Sequence, residues 1–157
     1  MSPVVGARPY VAAGALFLDD QKRVLLVVPT YKEQHDIPGG MVEHGETPRE
    51  ACEREVREEL SLDLRVGRLL VVDSQVYPTG EDIWLFIFDG GVISPQHLAA
   101  IAVDGVEISK FHFAAEETLA TYVPANFALR LSYALAARRS GSTYDLCRGR
   151  PQAELER

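Results

Sequence analysis

Residues 39–62, GGMVEHGETPREACEREVREELSL, decide the fold. After a Pro-Gly-Gly turn, a helix start is marked by Thr47, which suits the N-cap, by Pro48, which suits the first helical position, and by Glu50, which completes a capping box. The residues that follow favour a helix, and none of them breaks it before Leu60. The sequence therefore predicts an α-helix from Pro48 to Leu60.

Three carboxylates of this helix fall on one side of it. At 100° per residue, Glu55, Glu58 and Glu59 lie within an arc of about 100° beside an apolar stripe that can pack on a core. That stripe consists of Cys52, Val56 and Leu60. Like charges at this spacing destabilise an isolated helix by a few tenths of a kcal/mol per pair. Two other glutamates have an arginine four residues later, in the pairs Glu50–Arg54 and Glu53–Arg57. Glu55 and Glu59 have no such partner.

The residues alone leave two interpretations of this acidic cluster open. An acidic, solvated helix face is common, and it accounts for the charges equally well. A hard divalent cation such as Mg²⁺ or Mn²⁺ binds carboxylate and carbonyl oxygens, and it would relieve the repulsion. The turn at Gly39 and Gly40 favours the cation, because residues without a Cβ let the backbone approach the carboxylates closely.

The same stretch resembles the signature of the Nudix hydrolase family, which reads Gly, five residues, Glu, seven residues, and then Arg-Glu-apolar-x-Glu-Glu-x-Gly-apolar. The positions that match in register are Gly40, Glu46, Arg54, Glu55, Val56, Glu58, Glu59 and Leu62. One position departs, because Ser61 stands where the signature has its late glycine. That glycine ends the helix in a left-handed conformation, so a Ser there should cost roughly 1–2 kcal/mol and strain the helix end.

The resemblance implies a fold of the α/β class, an α/β/α sandwich with a mixed central sheet, in a single domain over residues 1–157. Apolar patterning predicts further strands at residues 10–18, 24–28, 64–77, 83–88 and 107–113, and further helices at residues 95–102, 116–120 and 126–139. Gly90 and Gly91 are expected to end the fourth of these strands. The tail, about residues 142–157, is expected to be frayed.

Nudix enzymes hydrolyse a diphosphate linked to another group, commonly in a nucleoside diphosphate derivative. The resemblance therefore implies a pyrophosphohydrolase that needs Mg²⁺, for which Mn²⁺ can substitute. Carried over residue by residue, the metal ligands are the Gly40 carbonyl and the carboxylates of Glu55, Glu58 and Glu59. Two alternatives on the same fold are a non-catalytic nucleotide-binding or regulatory module and an isomerase of the superfamily.

The identity of the general base is left open. Glu58 and Glu59 are candidates within the signature, and Glu107 is a candidate outside it. Arg54 joins the predicted catalytic set as a brace, because a charge-assisted hydrogen bond to Glu46 would fix the loop against the helix. Two weaker candidates, which plain surface charge explains better, are Glu116 and Glu117.

The residues predicted to bind substrate are Tyr31, Trp84, Gly39 and Gly40. Trp84 shares a strand face with Phe86 and Phe88, so a place in the core is the commoner outcome for it than stacking on a base. Loops read the groups that flank the diphosphate. The substrate therefore stays open between a nucleoside triphosphate, ADP-ribose, a nucleotide sugar and a dinucleoside polyphosphate.

Composition restricts the partners. A net charge of −7 and a pI near 5.1 argue against general affinity for nucleic acid, so the expected partner is a small nucleoside diphosphate-type molecule. The two cysteines have no CxxC spacing, which indicates neither a zinc site nor a disulfide framework and favours a cytoplasmic location. No signal peptide is recognisable, and the longest apolar run, residues 10–18, is too short to cross a bilayer. A homodimer is left open.

Overall fold

The computed structural model describes Pro3 and residues 5–152, and the strands in that part of the chain form one sheet. The strands are β1 (Tyr10–Leu18), β2 (Val24–Pro29), β3 (Gly39–Met41), β4 (Leu69–Val76), β5 (Asp82–Val92), β6 (Ile108–Ala114), β7 (Tyr144–Cys147) and β8 (Arg150–Pro151). The helices are α1 (Pro48–Leu60), α2 (Pro95–Ala100), α3 (Leu119–Tyr122), which follows a 3-10 turn at Glu116–Thr118, and α4 (Ala125–Ser140).

The sheet is mixed, and helices flank it on both faces. Its strand order is β6-β2-β1-β5-β4-β7-β8, and β3 pairs with β1 off this path. The pairs β1–β5 and β4–β7 are parallel, whereas the other pairs are antiparallel. Helix α1 packs on one face and α4 on the other. The predicted α/β/α sandwich is confirmed.

Strand β1 is the centre of both hydrophobic cores. Ala15 and Phe17 pack in the core that contains the apolar stripe of α1, whereas Leu16 and Leu18 pack in the core under α4. This division follows from the alternation of side chains along a strand. A strand covered on both faces needs apolar residues at every position, which explains the unbroken apolar run.

Helix α1 begins and ends as its sequence predicts. The Thr47 hydroxyl accepts a hydrogen bond from the Glu50 amide at 3.2 Å, and the Glu50 carboxylate accepts one from the Thr47 amide at 2.8 Å. At the other end, Ser61 is left-handed, with φ 58° and ψ 28°. Its hydroxyl donates to the Ala102 carbonyl at 2.9 Å, which offsets part of the strain.

The segment between α1 and β4 differs from the prediction. The strand expected at residues 64–77 begins only at Leu69. Arg49 Nη1 donates to the carbonyls of Val66 at 2.8 Å and Gly67 at 2.6 Å, and the Gly67 amide donates to the Asp89 carbonyl. These isolated hydrogen bonds attach the segment to α1 and to the sheet, but they do not form a continuous β-ladder.

The strand expected to end before Gly90 and Gly91 continues to Val92. The register with β1 shifts between Leu16 and Phe17, so Gly90 is the extra residue of a bulge. A Cβ at Gly90 would overlap the Phe17 ring. The glycine pair therefore bends the strand around Phe17 and does not terminate it.

The prediction of a frayed tail is wrong for residues 144–151. Strand β7 adds to the outer edge of β4 in parallel, from Val71 opposite Tyr144 to Ser74 opposite Cys147, and β8 pairs with β7. An unpaired strand edge offers a row of backbone donors and acceptors, and the tail satisfies them. The last part of the predicted frayed tail, residues 153–157, lies outside the described residues.

Candidate active site

The glycine turn brings β3 directly against α1. The Gly39 amide donates a hydrogen bond to Glu59 Oε2 at 3.2 Å. A Cβ on Gly39 would overlap the backbone of Ala13 on β1, and a Cβ on Gly40 would overlap the carboxylate of Glu55. Residue 39 therefore requires glycine, whereas a Cβ at residue 40 would displace the Glu55 carboxylate. The close approach of backbone to carboxylate expected from the sequence is present.

Arg54 forms hydrogen bonds with several carboxylates in and beside the acidic cluster. Its Nε and Nη2 donate to the two carboxylate oxygens of Glu46, at 2.6 Å and 3.0 Å, in a bidentate contact. Its Nη1 donates to Glu55 Oε1 at 2.9 Å and to Glu58 Oε2 at 3.2 Å, and Nη2 also reaches the Met41 carbonyl. The Arg54 hydrogen bonds hold the pKa of the Glu46 carboxyl below its ordinary value. The predicted brace between loop and helix is thus present.

The ion pairs expected within α1 are different from those observed. Arg54 turns to Glu46 and Glu55 because Glu50 is engaged by the capping box. Glu55 thus has a basic partner in the adjacent Arg54, although no arginine stands four residues after it. The second expected pair is replaced as well, and its members contact other residues: Glu53 lies 3.7 Å from Arg65, and Arg57 lies 3.6 Å from Asp63.

Two of the cluster's carboxylates are withdrawn from solvent. Glu59 is 8% exposed, and burial, opposed by the Gly39 amide and reinforced by the charge of Glu55, raises its pKa to about 8. Burial also raises the pKa of Glu55, against the opposing contact with Arg54. The side chain of Glu58, by contrast, is 55% exposed. For Glu55 and Glu59, the neighbouring donors and positive charges therefore do not fully offset the cost of burying a charged carboxylate.

The acidic cluster offers oxygen donors of the kind that a divalent cation binds. In the described part of the chain, no three His, Cys, Asp or Glu side chains stand together as a formed metal site. The Arg54 guanidinium bonds Glu55 and Glu58. The chemistry of the donors nevertheless fits a hard cation, because a positive charge beside the buried Glu55 and Glu59 would favour their carboxylate form. The residues that would hold it are Gly40, Glu55, Glu58 and Glu59.

The structure also places the acids outside the signature. Glu107 is the residue before β6, and its carbonyl accepts a hydrogen bond from the Thr30 amide at 2.8 Å. Its charge is among the causes that raise the pKa values of Glu55 and Glu59, so its carboxylate lies within electrostatic reach of both. Glu116 instead pairs with Arg139 at 3.3 Å. Glu107 thus belongs to the cluster's surroundings, whereas Glu116 is engaged with α4.

A cavity of about 520 Å³ opens on the other side of the glycine turn. It lies between β1, β5, the loop of residues 31–37 and the start of α4. Tyr31, Gly39 and Gly40, three of the residues predicted to bind substrate, line it. Its volume is that of an ordinary small-molecule site. Through Gly39 and Gly40, this cavity and the acidic cluster share a wall.

Trp84, the fourth predicted substrate-binding residue, is not among the residues that line the cavity. Its neighbours Ile83 and Leu85 line it, and alternation along β5 turns the indole to the opposite face. The side chain is 45% exposed, so the expectation that it packs in the core was wrong.

Sequence reasoning missed the residues that α4 contributes to the cavity. These are Asn126, Phe127 and Arg130, all within the first turns of the helix. Arg130 had a recognisable signal, because a charged residue stands on the side of the helix that carries Phe127 and Leu131. Its partner had one too, because Asp73 interrupts an apolar strand. A buried ion pair between them accounts for both interruptions.

Comparison with known proteins shows the family of the chain and proteins of similar fold. The NUDIX domain family profile matches residues 8–136. A MutT protein from Methanosarcina mazei Go1 superposes with a TM-score of 0.69 at 20% identity, over 88% of this chain and 99% of that chain. A UDP-X diphosphatase superposes with a TM-score of 0.72 at 20% identity, over 91% of this chain and 69% of that chain. An ADP-ribose pyrophosphatase from Streptococcus suis 89-1591 superposes with a TM-score of 0.68 at 18% identity, over 89% of this chain and 99% of that chain.

At these identities the structural likeness establishes the fold, and the profile match over most of the chain establishes the family. The chain therefore belongs to the Nudix family of pyrophosphohydrolases. The resemblance carried by residues 40–62 is confirmed.

Proposed function

We propose that the protein is a hydrolase that cleaves the diphosphate linkage of a nucleoside diphosphate derivative by attack of water. The reaction depends on Mg²⁺, for which Mn²⁺ can substitute. A single domain that spans the chain carries this activity. The observation that carries this proposal is the pair of withdrawn carboxylates, Glu55 and Glu59, against the glycine turn that also walls the cavity. A diphosphate in the cavity mouth would bring its negative oxygens next to this pair. A cation between the diphosphate and the carboxylates would offset their repulsion and favour the charged form of Glu55 and Glu59.

The residues that would hold the cation are Glu55, Glu58 and Glu59, together with the Gly40 carbonyl. Bound there, a divalent cation supplies charge neutralisation of the diphosphate and a lower pKa for a bound water. Both carboxylates project from α1, where the Gly39 amide donates to Glu59 and Arg54 donates to Glu55. Glu58, on the exposed side, accepts from Arg54 through Oε2 and would offer Oε1 to the cation.

We assign Glu58 as the general base. Its side chain is more exposed than that of Glu55 or Glu59, so water reaches it most readily. Arg54 holds the Glu58 carboxylate at 3.2 Å and so orients it without touching the reacting atoms. Glu107 is the second candidate, because its charge acts on the same cluster from β6.

The cavity binds the nucleoside part of the substrate in this proposal. Tyr31 at the rim and Phe127 on α4 offer aromatic surface, while Trp84 on the opposite face is less well placed. Nucleoside triphosphates, ADP-ribose, nucleotide sugars and dinucleoside polyphosphates are the substrate classes to test. The names of the similar proteins include a UDP-X diphosphatase and an ADP-ribose pyrophosphatase, which supports a nucleotide.

The composition of the chain supports a small-molecule partner, and the spacing of its two cysteines favours the cytoplasm. The net charge of −7 disfavours nucleic acid. No helix in the described residues has the length and apolarity to span a membrane. The isomerase alternative needs a reactive thiol or another acid–base pair near the acids, and burial raises the pKa of the Cys52 thiol to about 12, which keeps it protonated.

A screen over the four substrate classes, with Mg²⁺, Mn²⁺ and chelator and with the nucleotide products separated by chromatography, tests the proposal. The wild type should turn over at least one nucleotide in a metal-dependent way, and Glu58→Gln should lower kcat by about 100-fold or more. Asp63→Asn is the matched control, because it removes a 90% exposed carboxylate just after the same helix and should leave kcat unchanged. Turnover that is absent for all four classes, or that chelator does not affect, would refute the proposal.

A further inference from the structure

A buried ion pair forms one side of the cavity. Arg130 on α4 donates through Nε to Asp73 Oδ2 on β4 at 2.5 Å. The side chain of Asp73 is fully buried, and that of Arg130 is 8% exposed. Burying two charges is unfavourable, and apolar residues of similar size often stabilise a core as well as such a pair does. The pair therefore calls for a reason beyond stability.

The carboxylate of Asp73 is held rigidly by more than Arg130. The Gly149 amide donates to both of its oxygens at 3.1 Å, and Gln75 Nε2 donates at 2.9 Å. Gly149 lies in the turn between β7 and β8, so the strands that add to the sheet edge also fix this carboxylate. The Arg130 guanidinium, 5.2 Å from the centre of the Phe127 ring, is fixed in turn.

The rest of the guanidinium is directed at the cavity. Within the described residues, Nε is the group of Arg130 that donates to the protein. The Nη1 and Nη2 groups carry four of the five N–H donors of an arginine. Every buried side-chain nitrogen or oxygen of the described residues has a partner, so Nη groups without one keep contact with solvent. Arg130 lines the cavity, which is where that solvent lies.

We propose that Arg130, held by Asp73, is a specificity-determining residue that selects a substrate base with two adjacent hydrogen-bond acceptors on one edge. This inference rests on the proposed hydrolysis of nucleotides. A guanidinium is a planar fork of donors, so it pairs with two acceptors side by side. It repels a base edge that presents an amino group in place of one of them.

Base chemistry gives two sources of such an edge. In a 6-oxopurine, guanine or hypoxanthine, O6 and N7 are adjacent acceptors, whereas adenine replaces O6 with a donating amino group. In cytosine, O2 and N3 are adjacent acceptors, whereas the N3 of uracil carries a proton. A preference for ITP over ATP therefore indicates recognition of a 6-oxopurine, and a preference for CTP over UTP indicates recognition of cytosine.

The experiment measures kcat/KM for both pairs with the wild type and with Arg130→Lys. Lysine keeps the positive charge that Asp73 needs but loses the planar fork, so the variant should fold. Arg138→Lys is the matched control, because Arg138 lies on the same helix, donates through Nε to Asp89 at 3.1 Å and is outside the cavity lining. Thermal melting of all three proteins verifies folding.

The wild type should prefer ITP over ATP, or CTP over UTP, by about tenfold or more, as expected of a bidentate base contact. Arg130→Lys should lower that preference at least about fivefold, mainly through the favoured nucleotide, and Arg138→Lys should retain it. A wild type without preference in either pair, or an Arg130→Lys variant with wild-type ratios, would overturn the proposal.

Failure of the hydrolase proposal is recognised separately. If the wild type cleaves none of these nucleotides, the same ratios are measured as dissociation constants of IMP, AMP, CMP and UMP by calorimetry. A preference for IMP or CMP that Arg130→Lys removes supports the role of Arg130 in recognition. Equal affinities within both pairs overturn it.

Discussion

Arg54 Nε lies 2.6 Å from Glu46 Oε1, and this contact joins the loop before α1 to the middle of the helix. Both side chains are mostly buried, at 17% and 20% exposure. Glu46 also accepts from the Glu43 amide at 2.9 Å, so it fixes the loop backbone while Arg54 reaches on to Glu55 and Glu58. One arginine thus couples the shape of the loop to the placement of the acids.

Arg54→Lys tests this coupling. Lysine cannot form the bidentate contact with Glu46 while it bonds Glu55 and Glu58, so the loop and the acids should lose their common anchor. We expect the free energy of unfolding, measured with urea, to fall by about 1–3 kcal/mol and kcat/KM to fall about tenfold or more. Arg57→Lys, at an exposed pair 3.6 Å from Asp63, should change the free energy of unfolding by less than about 0.5 kcal/mol. Equal effects of the two substitutions would contradict the role of Arg54.

The two glycines of the turn should respond differently to alanine. A Cβ on Gly39 meets the backbone of Ala13 and Gly14, which cannot move aside, so Gly39→Ala should lower the free energy of unfolding by about 1–3 kcal/mol. A Cβ on Gly40 meets the end of the flexible Glu55 side chain. Gly40→Ala should therefore cost less than about 1 kcal/mol of stability but weaken Mn²⁺ binding about tenfold or more. The reverse order of stabilities in urea unfolding would show that the turn is not packed this way.

Asp19 predicts a dependence of stability on pH that is independent of the site. Its carboxylate accepts from the Gln21 amide at 3.0 Å, the Arg23 amide at 2.8 Å and Arg23 Nε at 2.7 Å, within the β1–β2 hairpin. Burial alone would raise the pKa of Asp19, but these bonds and the Arg23 charge outweigh it and hold the pKa below the ordinary 3.8. A lowered folded-state pKa stabilises the fold above the unfolded value, and that contribution is lost as pH falls through the folded value.

Asp19→Asn should accordingly be less stable than the wild type by about 1–2 kcal/mol at pH 7, because the amide cannot replace all the charge-assisted bonds. The difference should shrink as the pH is lowered below about 4, where the wild-type carboxyl begins to take up its proton. Urea unfolding at pH 7 and at pH 3 measures both values. A difference that is the same at the two pH values would exclude a charge-dependent contribution from Asp19.

Local patterns in the sequence were enough for α1 and its signature. The capping box at Thr47 and the left-handed end at Ser61 depend on residues within a few positions of each other, and the structure has both. The bracing contact between Arg54 and Glu46 follows from the spacing of the signature. These features need no knowledge of the rest of the chain.

The features that the sequence did not reveal depend on distant residues. The tail forms β7 because β4 leaves an edge unpaired, and Asp73 and Arg130 meet across 57 positions of the chain. The 45% exposure of Trp84 depends on which elements cover its face of the sheet. Apolar patterning identifies a strand, but it does not show which part of the strand another element covers.

Titration of Mn²⁺ into the wild type and into Glu55→Gln, Glu59→Gln and Asp63→Asn, by calorimetry and electron paramagnetic resonance, tests most directly whether the withdrawn acids bind a divalent cation. We expect saturable binding to the wild type and to Asp63→Asn, and a loss of about tenfold or more in affinity in the two glutamine variants. Without metal, Glu59→Gln should be about as stable as the wild type, because burial already favours the uncharged carboxyl. Wild-type affinity in both glutamine variants would contradict a metal site at Glu55 and Glu59.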